Sequence, residues 1–544
     1  MTYTEIKEKG TKKYYYRGKS IRKGKKVNKQ RIYLGKNLNE QELKQKEQQA
    51  DKKLLNIKEP IITPTKTPKK EQSLGLTAEK DEFSEWFTQI MLKADLADYT
   101  DVSGCIVFKP TAYAIWEKIQ QECDKRFKKI GIKNTYFPLL IPEKLLMKEQ
   151  EHIKDFSPEV AWVTKTGNSE LNERLAIRPT SEAIMYPSFA KWIRSYKDLP
   201  LKLNQWNNVI RWEFKHPVPF LRTREFLWNE LHTVLENEKQ CLEEGKQVIK
   251  AYKEICENYL ALYGEYGRKT EKEKFAGAVF SEKIHYIMPN GKAIEGPCFH
   301  YDGQNFAKAY DIKFTDKNAN EQYAYQNTYA ISTRMLGVMF AMHSDEKGLI
   351  LPPKIAPNQI VIIPIFFEKD KDKVLKQAKE IKSELSHYDP ILDDREEYRP
   401  GFKFNEYELK GIPLRIELGS RDLEKDQVTI MRRDTLQKQP IKISKIKTEI
   451  PKILEDIQNS LYERSKKLYK SKDKKADSLT ELKELIKQKN IVEIPLCYKL
   501  KCEDELKFKT EGVKTLFITK FKPNKNCIIC NKPADYLAKV GKSY

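Results

Sequence analysis

The segment Arg211–Thr233, RWEFKHPVPFLRTREFLWNELHT, gathers Arg211, Arg222 and Arg224 with Glu213, His216, Trp228 and Glu230. Arginine suits phosphate because its planar fork donates paired hydrogen bonds and keeps its charge at any working pH. Two β-prone runs, near Val209–Phe214 and Phe226–His232, flank a Pro-rich, Arg-rich connection, which is the pattern of antiparallel strands joined by a long loop. Alternation along a strand puts Arg211 and Glu213 on one face, and Trp228, Glu230 and His232 on one face. Such a surface can hold a polyphosphate and orient a cationic small molecule beside it. The plainer reading is a surface hairpin with a solvated charged face.

Three other stretches carry chemistry. In LAIRPTSEAIMYPSFAKWI (Leu175–Ile193) an apolar strand leads into Thr180-Ser181-Glu182, which can cap the helix that follows. Arg334 stands in the apolar run QNTYAISTRMLGVMFAMH. An arginine there is costly to bury unless it is paired, so a ligand role is favoured. Cys497-x4-Cys502 and Cys527-x2-Cys530 are two thiol pairs whose spacing can close a tetrahedral zinc site.

Apolar spacing predicts the elements that position these groups. Helices are expected over Asp81–Leu96 and Tyr113–Phe127, and a strand broken by Pro138 over Asn134–Pro142. Lys274–Ile294 reads as strand, turn and strand, with Asn290-Gly291 as the hairpin signal. Asn358–Lys442 alternates strands and helices, and Ile450–Ile486 is helical. Near the start, β-prone Lys13–Arg17 and Arg31–Leu34 flank a Gly/Lys segment, a charged helix covers 38–58, and a Pro/Thr/Lys linker covers 59–72. Tyr14–Tyr16 can stack on bases or simply pack the small core of that module.

At 544 residues the chain has room for three or four domains. Charged residues make up 33%, mean hydropathy is -0.70, and no apolar run approaches the ~20 residues of a membrane span. Five scattered cysteines beside the ordered four fit a reducing, cytoplasmic compartment. The net charge of +23 favours a polyanionic partner, and residues 1–78 alone hold 21 Lys+Arg against 8 Asp+Glu.

RWEFKHPVPFLRTREFLW closely resembles the second signature motif of class II aminoacyl-tRNA synthetases, in the form found in prolyl-tRNA synthetases of the archaeal and eukaryotic type. The Asp81–Pro142 region is similar to the first motif, Gln326–Pro357 to the last, and RPGFKFNEYELKGIP to the anticodon-binding domain. The resemblance implies an α+β fold: an antiparallel catalytic domain (73–355), an α/β anticodon-binding domain (356–447) and a small zinc-binding α+β domain (448–544), after a basic N-terminal extension and linker (1–72). It implies ATP-dependent attachment of proline to its tRNA through a prolyl-adenylate, with magnesium accompanying ATP, a structural zinc ion, and a homodimer without membrane association. Residues 233–296 leave no room for the hydrolytic editing domain of bacterial-type prolyl enzymes.

By the same resemblance, Arg211 and Arg334 carry catalysis. ATP is held by Arg211, Glu213, Arg222, Phe226, Glu295 and Arg334. The amino acid is held by Thr180, Glu182, Arg211, Trp228, Glu230, Phe275, Cys298 and His300. Zinc falls to Cys497, Cys502, Cys527 and Cys530, and tRNA contact to Arg395, Lys403, Glu406 and Lys410. The C-terminal Tyr544 is expected to reach toward the active site.

The chain departs from the family around the amino acid. Where GTSH is usual, Pro297, Cys298 and Phe299 precede His300. Glu295 replaces a glutamine, Thr328-Tyr329-Ala330 replaces SWG, Lys283–Tyr286 (KIHY) replaces a TIEA-like strand, and Asn229–His232 (NELH) replaces QEGH. Two further readings follow. One is a paralogue that activates another small amino acid or discriminates against a proline analogue. The other is an RNA-binding regulator with weakened catalysis.

Overall fold

The computed structural model describes residues 2–9, 11–23, 26–54, 75–152, 159–212 and 216–544. Glu213 and the linker 59–72 lie outside them. The chain divides into two compact units, 1–72 and 73–544.

The first unit is a meander of three antiparallel strands, β1 (Thr2–Lys9), β2 (Lys12–Lys23) and β3 (Lys26–Lys36), followed by helix α1 (Glu40–Leu54). Strand β1 was not expected from the sequence: its alternating Glu, Lys and Thr hide a strand whose register is set by β2. Tyr15, Leu34 and Ala50 form a small core between α1 and the sheet. Ion pairs from Arg17 to Asp51 (2.6 Å) and Glu47 (3.5 Å) fasten the helix.

The second unit is built on an eleven-stranded sheet. Its central elements are helix α2 (Glu182–Trp192), strands β4 (Leu201–Ile210) and β5 (Glu225–Leu235), helix α3 (Glu238–Asn258), strands β6 (Phe280–Ile287), β7 (Ala293–Gly303) and β8 (Tyr325–Ala330), and helix α4 (Arg334–His343). The central spatial order is β6-β7-β8-β5-β4, all antiparallel. Beyond β6 the sheet continues through Glu265–Arg268 into Lys514–Phe521, Tyr536–Gly541 and Ile491–Leu496, so the C-terminal segment extends the catalytic sheet. Helices α3, α4 and Pro110–Lys129 cover one face, with Trp86, Trp116, Tyr252 and Phe340 fully buried in the core. The expected strand over Asn134–Pro142 is indeed interrupted, leaving Lys133–Asn134 and Leu140–Pro142 in different sheets.

Residues 359–442 form a five-stranded sheet whose first three strands in space, Ile391–Leu392, Ile360–Ile365 and Leu414–Gly419, are parallel. Helices Lys371–Glu384 and Pro400–Lys410 connect them. The long helix Ile446–Lys472 follows; the helical region expected to run to Ile486 breaks at Asp473 and resumes at Leu479.

The catalytic sheet and the five-stranded sheet are tied by a two-pronged ion pair. Arg433, 1% exposed, donates through Nη2 to Asp345 Oδ1 (2.7 Å) and through Nη1 to Oδ2 (2.9 Å), and its Nε reaches the Glu408 carbonyl at 2.7 Å. Breaking a buried pair by removing one partner strands the other charge. The Asp345→Ala variant should therefore lose about 3–5 kcal/mol at this junction, read as a lower thermal midpoint and faster amide exchange along Gln427–Arg432. An unchanged midpoint would contradict this.

Candidate active site

Alternation along β5 aims Phe226, Trp228, Glu230 and His232 into one cleft of about 270 Å³. Opposite them β7 supplies Gly296, Cys298 and His300, β6 supplies Lys283, and β8 supplies Thr328 and Ala330. The register aligns Lys283 with Cys298, and Cys298 with Ala330, in one row across the floor. Thr180 and Glu182 close one end, Arg211 and Arg334 the other, and Phe275 packs beside His300 at 4.9 Å between ring centroids. A second cavity of about 220 Å³ shares Glu273, Lys283, Glu295 and Arg334 with the first and adds Arg222, Lys269, Lys514 and Tyr544. The site residues expected in the catalytic domain thus converge, Glu213 lying outside the described residues.

The acidic end is organised by hydrogen bonds. Glu230 accepts from Ser181 N (2.9 Å), Gln205 Nε2 (3.0 Å) and Asn207 Nδ2 (2.8 Å), and from the Ser181 hydroxyl. Ser181 therefore makes no side-chain cap on α2; its hydroxyl is committed to Glu230. With so many internal donors, Glu230 is a strut for the Thr180-Ser181 turn. Glu182 is different: Thr180 Oγ1 donates to it at 2.5 Å, and burial pushes its carboxyl up against the pull of His232. A buried carboxyl of that kind is short of a cation. The Trp228 indole Nε1 is also buried and has no partner among the described residues.

The basic end rests on backbone. Arg211 Nε donates to the Pro179 carbonyl (3.0 Å), and its guanidinium lies 5.1 Å from the Trp228 ring and 5.6 Å from Phe226. Arg334 donates to the carbonyls of Leu221 and Glu295, each at 3.2 Å. Among the described residues these hydrogen bonds of both arginines go to backbone carbonyls.

Sequence reasoning undervalued Lys269 and Lys283. Lys269 Nζ donates to Glu295 Oε1 (2.8 Å) and Lys283 Nζ to Oε2 (2.7 Å). Burial alone would raise the Glu295 carboxyl, but the two lysines hold it well below the usual range. Burial lowers His285 and His300 to about 3, so both rings are neutral near pH 7. Lys283 and Glu295, two of the departures from the family, thus form one ion pair. Phe299 and Tyr329 form another matched set. They stack at 5.0 Å and 14° on the face toward α3, where Gly245 makes room: a Cβ there would lie 2.5 Å from the Phe299 ring.

Away from the cleft, the four cysteine sulfurs lie within 4.8 Å of one another, with Cys497 3.5 Å from Cys502 and 3.7 Å from Cys530. Four thiolates around zinc at ~2.3 Å stand roughly 3.8 Å apart, so this set fits a tetrahedral metal. The residues expected to touch tRNA form one network: Arg395 binds Asp393 (2.7 Å) and Glu406 (2.7 Å), and Lys410 binds Glu406 (2.7 Å). Lys403 is a correction to the expected contacts. It is 3% exposed and donates to the Asp393 carbonyl at 3.0 Å, so it braces Arg395 through Asp393 and offers no charge to solvent.

Three family models match: the class II tRNA synthetase core domain (G, H, P, S and T) over 162–343, an anticodon-binding domain over 359–453, and the prolyl-tRNA synthetase C-terminal domain over 479–544. A proline--tRNA ligase of Natranaerobius thermophilus is 42% identical over 457 residues, covering 84% of this chain and 94% of that one. The chain belongs to the prolyl-tRNA synthetase family. A putative proline--tRNA ligase of Saccharomyces cerevisiae is 41% identical over 87% of this chain and 73% of its own length. The crystal structure of prolyl-tRNA synthetase from Cryptosporidium parvum, complexed with halofuginone and AMPPNP, superposes with a TM-score of 0.82 at 41% identity, over 87% of this chain and 98% of that one. The expected α+β class II architecture with an anticodon-binding domain is therefore correct, and neither the altered-substrate nor the regulator reading is favoured within this prolyl-tRNA synthetase family.

The pairing of departures can be measured. Glu295→Gln should destabilise the protein by stranding two ammonium groups, and adding Lys283→Thr should recover part of the loss. A double-mutant cycle should give a coupling of about 1–3 kcal/mol. Additive effects would show that the two residues do not act together.

Proposed function

We propose that this prolyl-tRNA synthetase homologue joins proline to its tRNA in two steps within the shared cleft. A proline carboxylate oxygen attacks the α-phosphorus of ATP and the bond to the β-phosphate oxygen breaks, giving prolyl-adenylate and pyrophosphate. A terminal ribose hydroxyl of the tRNA then attacks the adenylate carbonyl, AMP leaves, and the ester forms. The observation that carries this reading is the polarity of the site: a buried carboxyl short of a cation, and two guanidiniums whose hydrogen bonds among the described residues go to backbone carbonyls.

Each group has a task. Glu182 and Thr180 take the secondary ammonium, with Glu230 fixing their turn. Trp228, Phe275, His300 and Cys298 enclose the ring, and Ala330 narrows the floor. Arg211 bridges the carboxylate and the α-phosphate, where negative charge grows in the transition state. Phe226 stacks on adenine and Glu213 accepts from its amino group. Arg222, Arg334 and Lys283 face the outer phosphates in the second cavity. No side chain acts as a nucleophile; orientation and charge stabilisation supply the rate. Magnesium would arrive on the triphosphate and spread its charge; Glu273 is the carboxylate lining both cavities that is not shared between two lysines. Arg395, Glu406 and Lys410 would meet the anticodon.

The reading extends to assembly and compartment. Tyr99, Val102, Val107, Tyr113, Tyr136 and Leu140 are exposed within one stretch of about forty residues, with Tyr136 69% exposed, which suits burial against a second copy of the chain. All nine cysteines are free, which suits the cytoplasm. Among the described residues no helix is long and apolar enough to cross a membrane.

Amino-acid-dependent ATP–pyrophosphate exchange across the twenty amino acids tests the reaction. Proline alone should support exchange, and Arg211→Ala should lower its kcat by about 100- to 1,000-fold. Exchange driven by another amino acid, or none with any, overturns the reading. For the metal, elemental analysis should find a single zinc per chain, and Cys527→Ser should remove it and lower the thermal midpoint. A metal-free wild-type protein of unchanged stability would refute the zinc assignment.

A further inference from the structure

The N-terminal unit lies outside the residues that the family models match and takes no part in the cleft. Its charge is lopsided. Residues 1–36 contain thirteen Lys+Arg against two Asp+Glu, whereas α1 contains four of each. A lysine bias kept only for solubility would load helix and sheet alike. Here the excess is confined to the sheet.

The register then sorts the tyrosines. Tyr15 and Leu34 point to α1 and are buried with it. Arg17, on the same face, is spent on Asp51 and Glu47. Tyr16 stands opposite Glu5 on β1 and Tyr33 on β3, and Gly18 stands opposite Tyr3 and Arg31, so these residues share the face that α1 does not cover. On that face the rings of Tyr16 and Tyr33 meet at 5.2 Å, and Tyr33 is 52% exposed. The Tyr3 ring lies against Gly18, where a Cβ would come within 2.8 Å of it. Lys7 Nζ is 5.6 Å from the Tyr16 ring, and Arg31 pairs through Nε with Glu5 (3.0 Å) while its side chain stays 40% exposed. The core of the unit therefore uses one tyrosine of the run and leaves a tyrosine surface framed by cations.

An open sheet with aromatic rings and flanking lysines or arginines matches unpaired RNA: bases stack on the rings while phosphates meet the cations. A protein partner of acidic character would satisfy the charge but not the paired rings. We infer that the uncovered face of the β1–β3 sheet binds unpaired RNA nucleotides, with Tyr16 and Tyr33 as the stacking surface and Lys7 and Arg31 at neighbouring phosphates. On the reading of the cleft given above, it provides a second hold on the tRNA being charged. Two weak sites on one chain raise the overall affinity through effective concentration.

The full-length protein tests this with a fluorescent oligouridylate of about twelve nucleotides and with tRNA. Tyr16→Ser with Tyr33→Ser should weaken oligouridylate binding about tenfold or more. It should raise KM for tRNA while leaving kcat and tRNA-independent pyrophosphate exchange unchanged. Tyr16→Phe with Tyr33→Phe keeps the rings and should bind as wild type. If the serine pair disturbs the fold by circular dichroism, Lys7→Glu replaces it, with binding expected to fall and the fold to persist. Wild-type protein that does not bind oligouridylate, variants that bind as tightly as wild type, or an acidic peptide that competes as well as RNA would each overturn the inference. Loss of pyrophosphate exchange in the wild-type protein would instead strike the reading of the cleft and leave this one standing.

Discussion

The active site turns on Glu295. Its carboxylate is shared by Lys269 and Lys283, its carbonyl takes a guanidinium hydrogen bond from Arg334, and its strand forms the wall between the two cavities. In a setting where an isolated charge is costly, one carboxylate holds two lysines while the backbone carbonyl of the same residue takes Arg334. The two lysines hold the carboxylate in its charged form against the cost of burial. That arrangement keeps the basic groups of the cleft assembled by the fold itself.

The same economy explains why unusual residues coexist with an intact fold. Lys283 alone would be a stranded charge and Glu295 alone a repulsive one; together they are neutral. Phe299 alone would collide with α3, but Gly245 yields the space and Tyr329 supplies a stacking surface. Changes that look like damage one at a time are matched in pairs across strands. On the cleft side, Lys283, Glu295, Cys298, Thr328 and Ala330 are among the departures that line the cavity.

Much of this was legible in the sequence. The motif around Arg211 is long and specific, and strand alternation correctly gathered Trp228, Glu230 and His232. The cysteine spacing correctly singled out four thiols that converge. What escaped were partnerships set by three-dimensional register. Lys283 pairs with Cys298 only beyond an irregularity between Lys283 and His285, and Lys269 arrives from just past the end of the separate strand Glu265–Arg268. Ser181 looked like a helix cap because its neighbours fit the pattern, but Glu230, distant in sequence, took its hydroxyl. Lys403 looked like a solvent-facing cation because helix periodicity says nothing of Asp393 waiting beneath it. In the N-terminal unit three consecutive tyrosines are indistinguishable until pairing assigns them to opposite faces.

The joining of the C-terminal strands to the catalytic sheet has its own consequence. Arg268 pairs with Ile518, so the last segment occupies what would be the free edge at Glu265–Arg268. A chain lacking that segment would expose unpaired backbone donors and acceptors next to Tyr266, a template for pairing with other molecules. The C-terminal region thereby serves as an edge guard as well as the carrier of the four-cysteine cluster. A truncated chain would tend to self-associate where the whole one stays closed.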